Sequence, residues 1–381
     1  MTPHDEPFLP LSGVKVLDLS TLLPGPLATL MLADAGADVV KLERPGRGDE
    51  MRSYSPKLGE ASANYALLNR GKAAYAVDFK DPEARDRVLD LIKDADVVVE
   101  QFRPGVADRL GLGYAAASAV NPGIIYCSIT GYGPEGPYAH KAGHDLNYLA
   151  ESGLLGVATK APAAPALPPT VLADIAGGTY PAVVNILLAL RRKDRTGEGA
   201  HLQISMMHNL QILSYGYIAT QRAGGGWPEP GHELLTGGSP RYNIYPTADG
   251  RHVAVAALEQ KFWERLHVII GLPPELLDDE GREQQVMDAM QEIFASRSAA
   301  HWREVLEGEE VCTVVVNTFE EAVEAGFMSA ASSEMVTDGE DVMGALPSPL
   351  DPVLRPVPST ARYPRLTPLP TGSVWAEYAL R

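Results

Sequence analysis

The chain has few cysteines, no long apolar run and a shortage of basic residues. Its two cysteines are Cys127 and Cys312, so we expect neither a disulfide framework nor a cysteine-rich metal site. The longest apolar stretch, residues 180–190, is interrupted by Asn185 and falls short of the roughly 20 residues that cross a bilayer. Residues 1–11 lack the basic and apolar regions of a secretory signal. We therefore expect a cytoplasmic protein with no membrane partner.

The shortage of basic residues gives the chain a strongly negative charge. It has 32 Lys and Arg against 49 Asp and Glu, a net charge of −17 at pH 7. A surface of this sign repels the phosphates of nucleic acids, so no nucleic-acid partner is expected. With 45% apolar and 21% charged residues, the composition is that of an ordinary globular protein. A length of 381 residues favours two domains.

The first half of the chain alternates predicted strands and helices. Apolar runs indicate buried strands at residues 14–19, 38–43, 96–100 and 124–129. One helix follows Pro24, and another begins at Asp81-Pro82, where Asp is a favourable N-cap and Pro a favourable first residue. This alternation predicts an α/β fold with a doubly wound parallel sheet.

The second half predicts two long helices followed by a smaller unit. The helices are expected at residues 174–193 and 205–223, and a Gly- and Pro-rich run then marks a boundary. We therefore assign residues 1–223 to a large domain, 224–328 to a small α+β domain and 329–381 to an extended, proline-rich segment. Within the small domain, a strand and two helices are expected at residues 252–257, 260–270 and 282–296.

Three common kinds of site have no signal in the sequence. A dinucleotide cofactor needs a glycine-rich turn after the first strand, whereas residues 20–26 read Ser-Thr-Leu-Leu-Pro-Gly-Pro. There is no Gly-x-Ser-x-Gly elbow of the kind that carries a hydrolase serine. The histidines show no metal-ligand spacing, so no metal site is expected.

Short blocks of sequence occur in a fixed order at residues 10–19, 24–26, 34–45, 69–72, 102–106, 109–113 and 131–137. In content and order they resemble the family III CoA-transferase superfamily, which includes the α-methylacyl-CoA racemases. The resemblance runs from about residue 10 to beyond residue 320. It implies a large CoA-binding domain, an intertwined homodimer and a C-terminal segment that returns to the large domain. It also implies an acyl-CoA substrate, with no cofactor beyond the CoA moiety of that substrate.

The resemblance assigns roles for racemisation at the carbon next to a thioester. This reaction needs a base on one face of the carbon, an acid on the other and stabilisation of the enolate oxygen. In the racemases that these segments resemble, His144 and Asp174 match the two acid/base residues, and the backbone N–H of Asp145 faces the enolate oxygen. An acidic residue of the small domain, best matched by Glu259, supports the histidine. We therefore predict racemisation, or epimerisation, of a 2-methylacyl-CoA thioester.

Each of these residues also has a structural explanation. Asp174 and Asp145 could be helix caps, and Glu259 could simply begin a helix. His144 could be a hydrogen-bonded structural histidine. The two glycines that follow Asp174, at positions 177 and 178, indicate that another group approaches the backbone closely there.

Cations are concentrated in the first third of the chain, at Arg44, Arg47, Arg52, Arg70, Lys72, Lys80, Arg103 and Arg109. An acidic chain needs such a local cluster to bind the phosphates of CoA, and the planar guanidinium group suits phosphate. Taken singly, each of these cations is better explained as a solvated surface charge than as a ligand. The residues that we expect to bind CoA, largely by resemblance, are Arg44, Phe79, Lys80, Arg103, Arg109 and Tyr148.

Three other functions stay open. A CoA-transferase of this superfamily uses the equivalent of Asp174 as a nucleophile that forms an acyl anhydride, and it does not need His144. Residues 143–153 resemble the racemase version, because transferases carry a different residue at the histidine position. A hydrolase that uses the same anhydride and a CoA-binding module without chemistry are the remaining alternatives.

Overall fold

The structure is a computed structural model that describes residues 9–158, 163, 165–328, 335–338, 341–355 and 360–375. The described residues form two compact units. The first is drawn from residues 1–152, 169–212 and 329–381, and the second from residues 153–168 and 213–328. The division therefore falls at residue 212, whereas the sequence analysis puts the boundary at residue 223.

The strands of both units are short. In chain order they are β1 (Lys15–Leu19), β2 (Asp38–Glu43), β3 (Lys57–Leu58), β4 (Ala61–Ser62), β5 (Ala73–Ala76), β6 (Val97–Glu100), β7 (Ile125–Thr130), β8 (Ala200–Ser205), β9 (Tyr242–Pro246), β10 (His252–Ala256), β11 (Thr313–Val315), β12 (Met335–Asp338), β13 (Asp341–Gly344), β14 (Thr360–Arg362) and β15 (Leu366–Pro368).

The α-helices surround these strands. They are α1 (Pro24–Asp34), α2 (Ala63–Asn69), α3 (Pro82–Lys93), α4 (Val106–Arg109), α5 (Tyr114–Val120), α6 (Asp145–Glu151), α7 (Leu154–Val157), α8 (Tyr180–Thr196), α9 (Met206–Asn209), α10 (Tyr215–Arg222), α11 (Gln260–Ile270), α12 (Glu283–Ala295), α13 (Ala299–Leu306) and α14 (Phe319–Glu324). Asp81 caps α3, as the sequence predicts, by accepting a hydrogen bond from the backbone N–H of Glu83.

Seven described strands form one sheet in the first unit, in the order β15-β5-β2-β1-β6-β7-β8. Every pairing within it is parallel. Strands β1, β2, β6 and β7 coincide with the four predicted strands, and their burial on both faces explains why they read as continuous apolar runs. The predicted α/β fold with a large parallel sheet is confirmed.

The strand order reverses beside β1. The chain first adds β2 and β5 on one side of β1, and later adds β6, β7 and β8 on the other. In doubly wound sheets the crevice outside the carboxyl ends of the strands, at such a reversal, is where ligands bind. Here those ends are at Leu19 of β1 and Glu100 of β6.

The C-terminal segment contributes to the first unit. Strand β15 pairs with β5 at the edge of the sheet, and Val374 and Trp375 are buried in the apolar core behind it. The chain therefore returns at Leu366 to the sheet that it left long before, since β5 ends at Ala76.

The second unit contains an antiparallel sheet in the order β11-β10-β9. One face of the sheet, with Tyr245, Val253 and Val255, packs on a core shared with α11, α12 and α13. The opposite face leaves Ile244 and Val314 exposed. Strand β10 and helices α11 and α12 lie where the sequence predicts a strand and two helices.

The two long predicted helices differ from the observed ones. Residues 205–223 do not form one helix but α9, a 3₁₀ turn (Leu210–Ser214) and α10. The hydroxyl of Ser205 accepts a hydrogen bond from the backbone N–H of His208, so a new helix starts at the end of β8. The helix predicted from Asp174 begins with a π-helix, Ala173–Thr179, which continues into α8.

The continuous helix Ala173–Thr196 is long and apolar enough, by length and composition alone, to cross a membrane. A single helix of this kind is weak evidence for a span, because core helices meet the same criterion. Its apolar window is 44% buried, and the helix packs against α1, β7 and β8. The helix is therefore partly packed within the first unit and partly exposed.

Candidate functional site

A cavity of about 440 Å³ lies where the segments after β1, β6 and β7 meet. The loop before α6, α6 itself and the π-helix complete its lining. The side chains that give it polar or aromatic character include Thr21, Gln101, Arg103, Tyr132, Lys141, His144, Asn147, Tyr148 and Asp174. The cavity occupies the position at which a doubly wound sheet binds its ligand.

Asp174 lies in the first turn of the π-helix, and its side chain lines the cavity. Burial, and then the charge of Asp145, raise the pKa of Asp174 to about 6, while His144 acts in the opposite direction. A carboxyl group with such a pKa can both accept and donate a proton near neutral pH. Leu172, not Asp174, occupies the N-cap position, so the helix-cap explanation of Asp174 is wrong.

The glycines after Asp174 allow the π-helix to pack closely on α9. A Cβ atom on Gly177 would lie 2.1 Å from the backbone oxygen of Met206. A Cβ atom on Gly178 would lie 3.0 Å from Cγ of Met206 and 3.2 Å from Cβ of Pro24. The close approach that the sequence indicates is therefore made by the protein's own chain. It fixes the π-helix, and Asp174 with it, against the end of β8.

Asp145 is the first residue of α6 and is 8% exposed. Its carboxylate oxygen Oδ1 accepts hydrogen bonds from the backbone N–H groups of Ala173, at 2.5 Å, and of Asp174, at 3.0 Å. Two N–H groups at the start of the π-helix, which have no partner within the helix, are thereby satisfied. The side chain of Asp145 thus joins α6 to the π-helix, a contact that the sequence does not indicate.

His144 is exposed and occupies the N-cap position of α6, at the edge of the cavity. Its backbone N–H donates to Oδ1 of Asn147 at 3.0 Å. The structure therefore brings two predicted catalytic residues, His144 and Asp174, to the wall of one cavity, while Asp145 supports that wall through its hydrogen bonds to the π-helix.

Tyr148 forms part of the cavity wall. Its hydroxyl donates to the backbone oxygen of Gly143 at 2.7 Å, and its ring meets that of Tyr132 edge to face at 5.1 Å. A Cβ atom on Gly131 would lie 2.4 Å from the Tyr148 hydroxyl, so the ring fits only because residue 131 has no side chain. Burial, with the charges of Asp174 and Asp145, raises the pKa of Tyr148 to about 12, which keeps the hydroxyl protonated.

The residues predicted to bind CoA lie at different distances from the cavity. Arg103 and Tyr148 line it. Phe79 packs edge to face on Phe102, a lining residue, with ring centroids 6.1 Å apart. Three others, all exposed, do not line the cavity: Arg44, Lys80 and Arg109.

Part of the predicted cationic cluster is internal. Arg52 bonds to Glu43 at 2.7 Å, Arg70 to Asp34 at 2.7 Å and Lys72 to Asp18 at 3.2 Å, each with both side chains at most 12% exposed. Burial lowers the pKa of Lys72 to about 8. These three cations neutralise buried carboxylates, so neither the surface-charge nor the phosphate-binding explanation applies to them.

Glu259 lies in the second unit, where it is exposed and precedes α11. Its backbone oxygen accepts hydrogen bonds from the N–H groups of Phe262 and Trp263. The structural explanation, that Glu259 begins a helix, is therefore correct for its backbone. A role for its side chain in supporting His144 stays a prediction.

Lys141 and Gln101 are among the lining residues that were not singled out from the sequence. Lys141 forms an ion pair with Glu151, and its Nζ lies 5.7 Å and 5.5 Å from the ring centroids of Tyr132 and Tyr138. Gln101 accepts a hydrogen bond from the N–H of Gly25 at 3.1 Å. Gln101 directly follows β6 at the carboxyl edge of the sheet, which is the signal that could have found it.

The arrangement places two proton-transfer groups, the His144 imidazole and the Asp174 carboxyl, at one partly apolar cavity. The same carboxyl group could instead act as a nucleophile towards an acyl carbon. Among the residues that the structure describes, no cluster of three or more His, Cys, Asp or Glu side chains could hold a metal ion.

Comparison with known proteins gives one family and two kinds of activity. The sequence model of CoA-transferase family III matches residues 11–366. Alpha-methylacyl-CoA racemase of Homo sapiens is 35% identical over 362 residues, which cover 93% of this chain and 90% of that protein. Succinyl-CoA:glutarate CoA-transferase of Mus musculus is 34% identical over 313 residues, or 78% of this chain and 70% of that protein.

A solved structure shares the fold. A CaiB/BaiF family protein from Brucella suis superposes with a TM-score of 0.78 and 27% identity, over 94% of this chain and 96% of that one. The likeness covers nearly the whole chain.

Proposed function

The chain belongs to CoA-transferase family III, and we propose that within this family it racemises 2-methylacyl-CoA thioesters through an enolate. Its relatives include racemases and CoA-transferases at similar identity. The choice between the two rests on one observation, the presence of both His144 and Asp174 at the same cavity. A racemase needs two acid/base groups, whereas a transferase needs the carboxylate alone.

The proton transfers follow from that pair. One group removes the proton from C2, the electron pair of the C–H bond moves onto the thioester oxygen, and the other group delivers a proton to the opposite face of C2. For one epimer a neutral His144 is the base and a protonated Asp174 is the acid; for the other epimer a carboxylate at Asp174 is the base and an imidazolium at His144 is the acid. The raised pKa of Asp174, about 6, favours this exchange because a carboxyl group with that pKa is available in both protonation states near neutral pH.

The enolate oxygen needs a donor. By resemblance we assign the backbone N–H of Asp145, in the first turn of α6, where N–H groups have no partner within the helix. The Asp145 carboxylate is already engaged with the π-helix, so its backbone and side chain would serve different purposes.

The acyl-CoA must be held by local charges, because the chain as a whole carries −17. We assign this role to Arg103 at the cavity and to a group of residues outside it, namely Arg44, Phe79, Lys80 and Arg109. The ring of Phe79 could stack on the adenine of CoA, and the guanidinium groups of the arginines suit the phosphates of CoA. No cofactor beyond the CoA moiety enters this scheme.

We further propose that the working enzyme is an intertwined homodimer. Apolar side chains are exposed on α8, with Val184 at 52% and Leu188 at 64%, and on the outer face of the small sheet, with Ile244 at 62% and Val314 at 63%. Exposed apolar surface on a soluble domain is typical of an interface with another chain. In such a dimer the side chain of Glu259 would support the imidazole of one of the two His144 residues.

Two substitutions test the proposed reaction. His144→Ala and Asp174→Asn should each lower epimerisation by about 10²–10⁴-fold, since each removes one acid/base group. His140→Ala and Asp194→Asn are matched controls, because both residues are exposed and lie outside the cavity, on the same loop and the same helix respectively.

The transferase alternative predicts a different outcome. CoA transfer to a free carboxylic acid would then persist in His144→Ala and be lost only in Asp174→Asn. Full epimerisation by His144→Ala would contradict the proposed racemase mechanism.

A further inference from the structure

The turn between β1 and α1 contains a backbone conformation that is rare for its residue type. Leu22 has φ of 63°, in the left-handed region that disfavours any residue with a branched apolar side chain. Leu22 also lines the cavity, together with Thr21 and Pro24 of the same turn. Such conformations persist only where the surrounding structure enforces them.

A buried carboxylate is bonded to the backbone of this residue. The backbone N–H of Leu22 donates to both carboxylate oxygens of Asp49, at 3.2 Å and 3.1 Å. Asp49 is 1% exposed and also accepts from the N–H of Met51 at 3.0 Å.

A buried lysine holds the other side of the same turn. The Nζ of Lys41 lies 3.3 Å from Asp49, with both side chains fully buried, and it donates to the backbone oxygen of Ser20 at 2.6 Å. The ion pair therefore binds the backbone of the turn on both sides of Thr21, with Lys41 at Ser20 and Asp49 at Leu22. Buried ion pairs add little net stability, since desolvation offsets their attraction.

The turn is also joined to the helix that carries Asp174. The hydroxyl of Thr179, in the π-helix, donates to the backbone oxygen of Pro24 at 2.9 Å. A displacement of the turn would therefore change the cavity wall and the support of the π-helix together.

We propose that Asp49 and Lys41 form a positioning pair for the catalytic cavity: they hold Leu22 in the left-handed conformation and thereby set the wall against which the acyl thioester lies beside Asp174. The inference rests on the proposed function only for the identity of the substrate. It holds equally for racemase and transferase chemistry, because both need the acyl carbon at a fixed distance from Asp174.

The test is a double-mutant cycle between Asp49→Ala and Leu22→Gly, measured on whichever of the two reactions the wild-type enzyme catalyses. Asp49→Ala should lower kcat by about 100-fold, the usual effect of a small misplacement of reacting groups, with a much smaller change in KM. Glycine adopts a positive φ without steric cost, so adding Leu22→Gly to Asp49→Ala should cost little or restore activity. The double variant should stay within about tenfold of Leu22→Gly alone, which is non-additive behaviour.

A matched control separates positioning from stability. Asp34 is another buried carboxylate of the first unit, bonded to Arg70 at 2.7 Å, and Asp34→Ala should lower the melting temperature without a selective loss of kcat. The conservative variant Asp49→Asn, whose amide oxygen can still accept from Leu22, should retain more activity than Asp49→Ala.

Two results would overturn the inference. One is a folded Asp49→Ala enzyme whose kcat falls no further than that of Asp34→Ala. The other is strict additivity of the Asp49 and Leu22 effects. Neither depends on which reaction is measured, so failure of the positioning role is distinguishable from failure of the racemase assignment.

Discussion

Asp145 acts on Asp174 through hydrogen bonding and through charge. Its carboxylate binds the backbone N–H of Asp174 at 3.0 Å, and its charge contributes to raising the pKa of the Asp174 carboxyl to about 6. A neighbouring negative charge disfavours ionisation of a second carboxyl group. The two contributions can be separated, because an asparagine keeps the hydrogen-bond acceptor and loses the charge.

Asp145→Asn should therefore lower the pKa of Asp174. In the direction where Asp174 is the base, activity requires the carboxylate, so the acid limb of the kcat/KM profile should move to lower pH. In the direction where Asp174 is the acid, activity requires the protonated form. The fall in activity with rising pH should therefore begin at a lower pH than in the wild-type enzyme. pH–rate profiles for both epimers, with Asp194→Asn as control, measure the shift. An unmoved profile would show that Asp145 does not tune Asp174.

Sequence reasoning reached some site residues and missed the links between them. Short motifs mark five residues that line the cavity or support its wall, and sequence reasoning therefore found them: His144, Asp145, Asp174, Arg103 and Tyr148. The bond from Asp145 to the π-helix joins positions 28 apart, and no local pattern specifies such a pairing. Buried Arg52, Arg70 and Lys72 were indistinguishable from surface cations, since a sequence does not reveal which carboxylate a cation faces.

At the scale of elements, the π-helix is the feature on which the site depends. Helical stretches of this type are rare and occur frequently at functional sites. Here the π-helix carries Asp174 in its first turn, while Gly177 lies against the backbone of Met206.

Gly177→Ala should displace the π-helix, because the added Cβ would lie 2.1 Å from a backbone oxygen that cannot rotate away. We expect a lower melting temperature and a loss of activity of about 100-fold, the usual result of displacing a catalytic group. Gly216→Ala in α10 is the matched control: its Cβ would have no neighbour within 4 Å in the described structure, and alanine is the better helix former. Equal activity of Gly177→Ala and Gly216→Ala would contradict the positional role of the π-helix.

The strands that could be predicted are those with a strong local pattern. β1, β2, β6 and β7 are runs of buried, largely β-branched or leucine side chains. β5 reads Ala-Ala-Tyr-Ala and lacks that pattern. β15 reads Leu-Thr-Pro, and proline is tolerated in it because it lies at the sheet edge. Its pairing with β5 joins distant parts of the chain, which local propensity cannot specify.

β8 shows how a tertiary neighbour sets the point at which the next helix starts. Residues 205–223 carry apolar side chains at helical spacing, but residues 200–205 pair with β7 over its whole length. The chain then leaves the sheet at Ser205, and the residues that follow form α9, a 3₁₀ turn and α10 in place of one long helix.

At the scale of the whole molecule, we expect the homodimer to be required for activity. Leu188→Glu, which puts a charge on the exposed apolar face of α8, should convert the dimer to monomer and abolish activity. Light scattering after size-exclusion chromatography measures the change, with Val353→Glu, at a residue 80% exposed in a 3₁₀ turn, as control. A wild-type enzyme that is monomeric and active would contradict this prediction.

The proposed reaction removes and returns a proton at C2 of an acyl-CoA. Incubation of the purified protein with one epimer of a 2-methylacyl-CoA in deuterated buffer, without a carboxylic acid acceptor, tests it most directly. We expect deuterium at C2 together with formation of the other epimer. Retention of the original epimer without deuterium, by an enzyme that transfers CoA from the same thioester once a carboxylic acid is added, would contradict this proposal and establish the transferase.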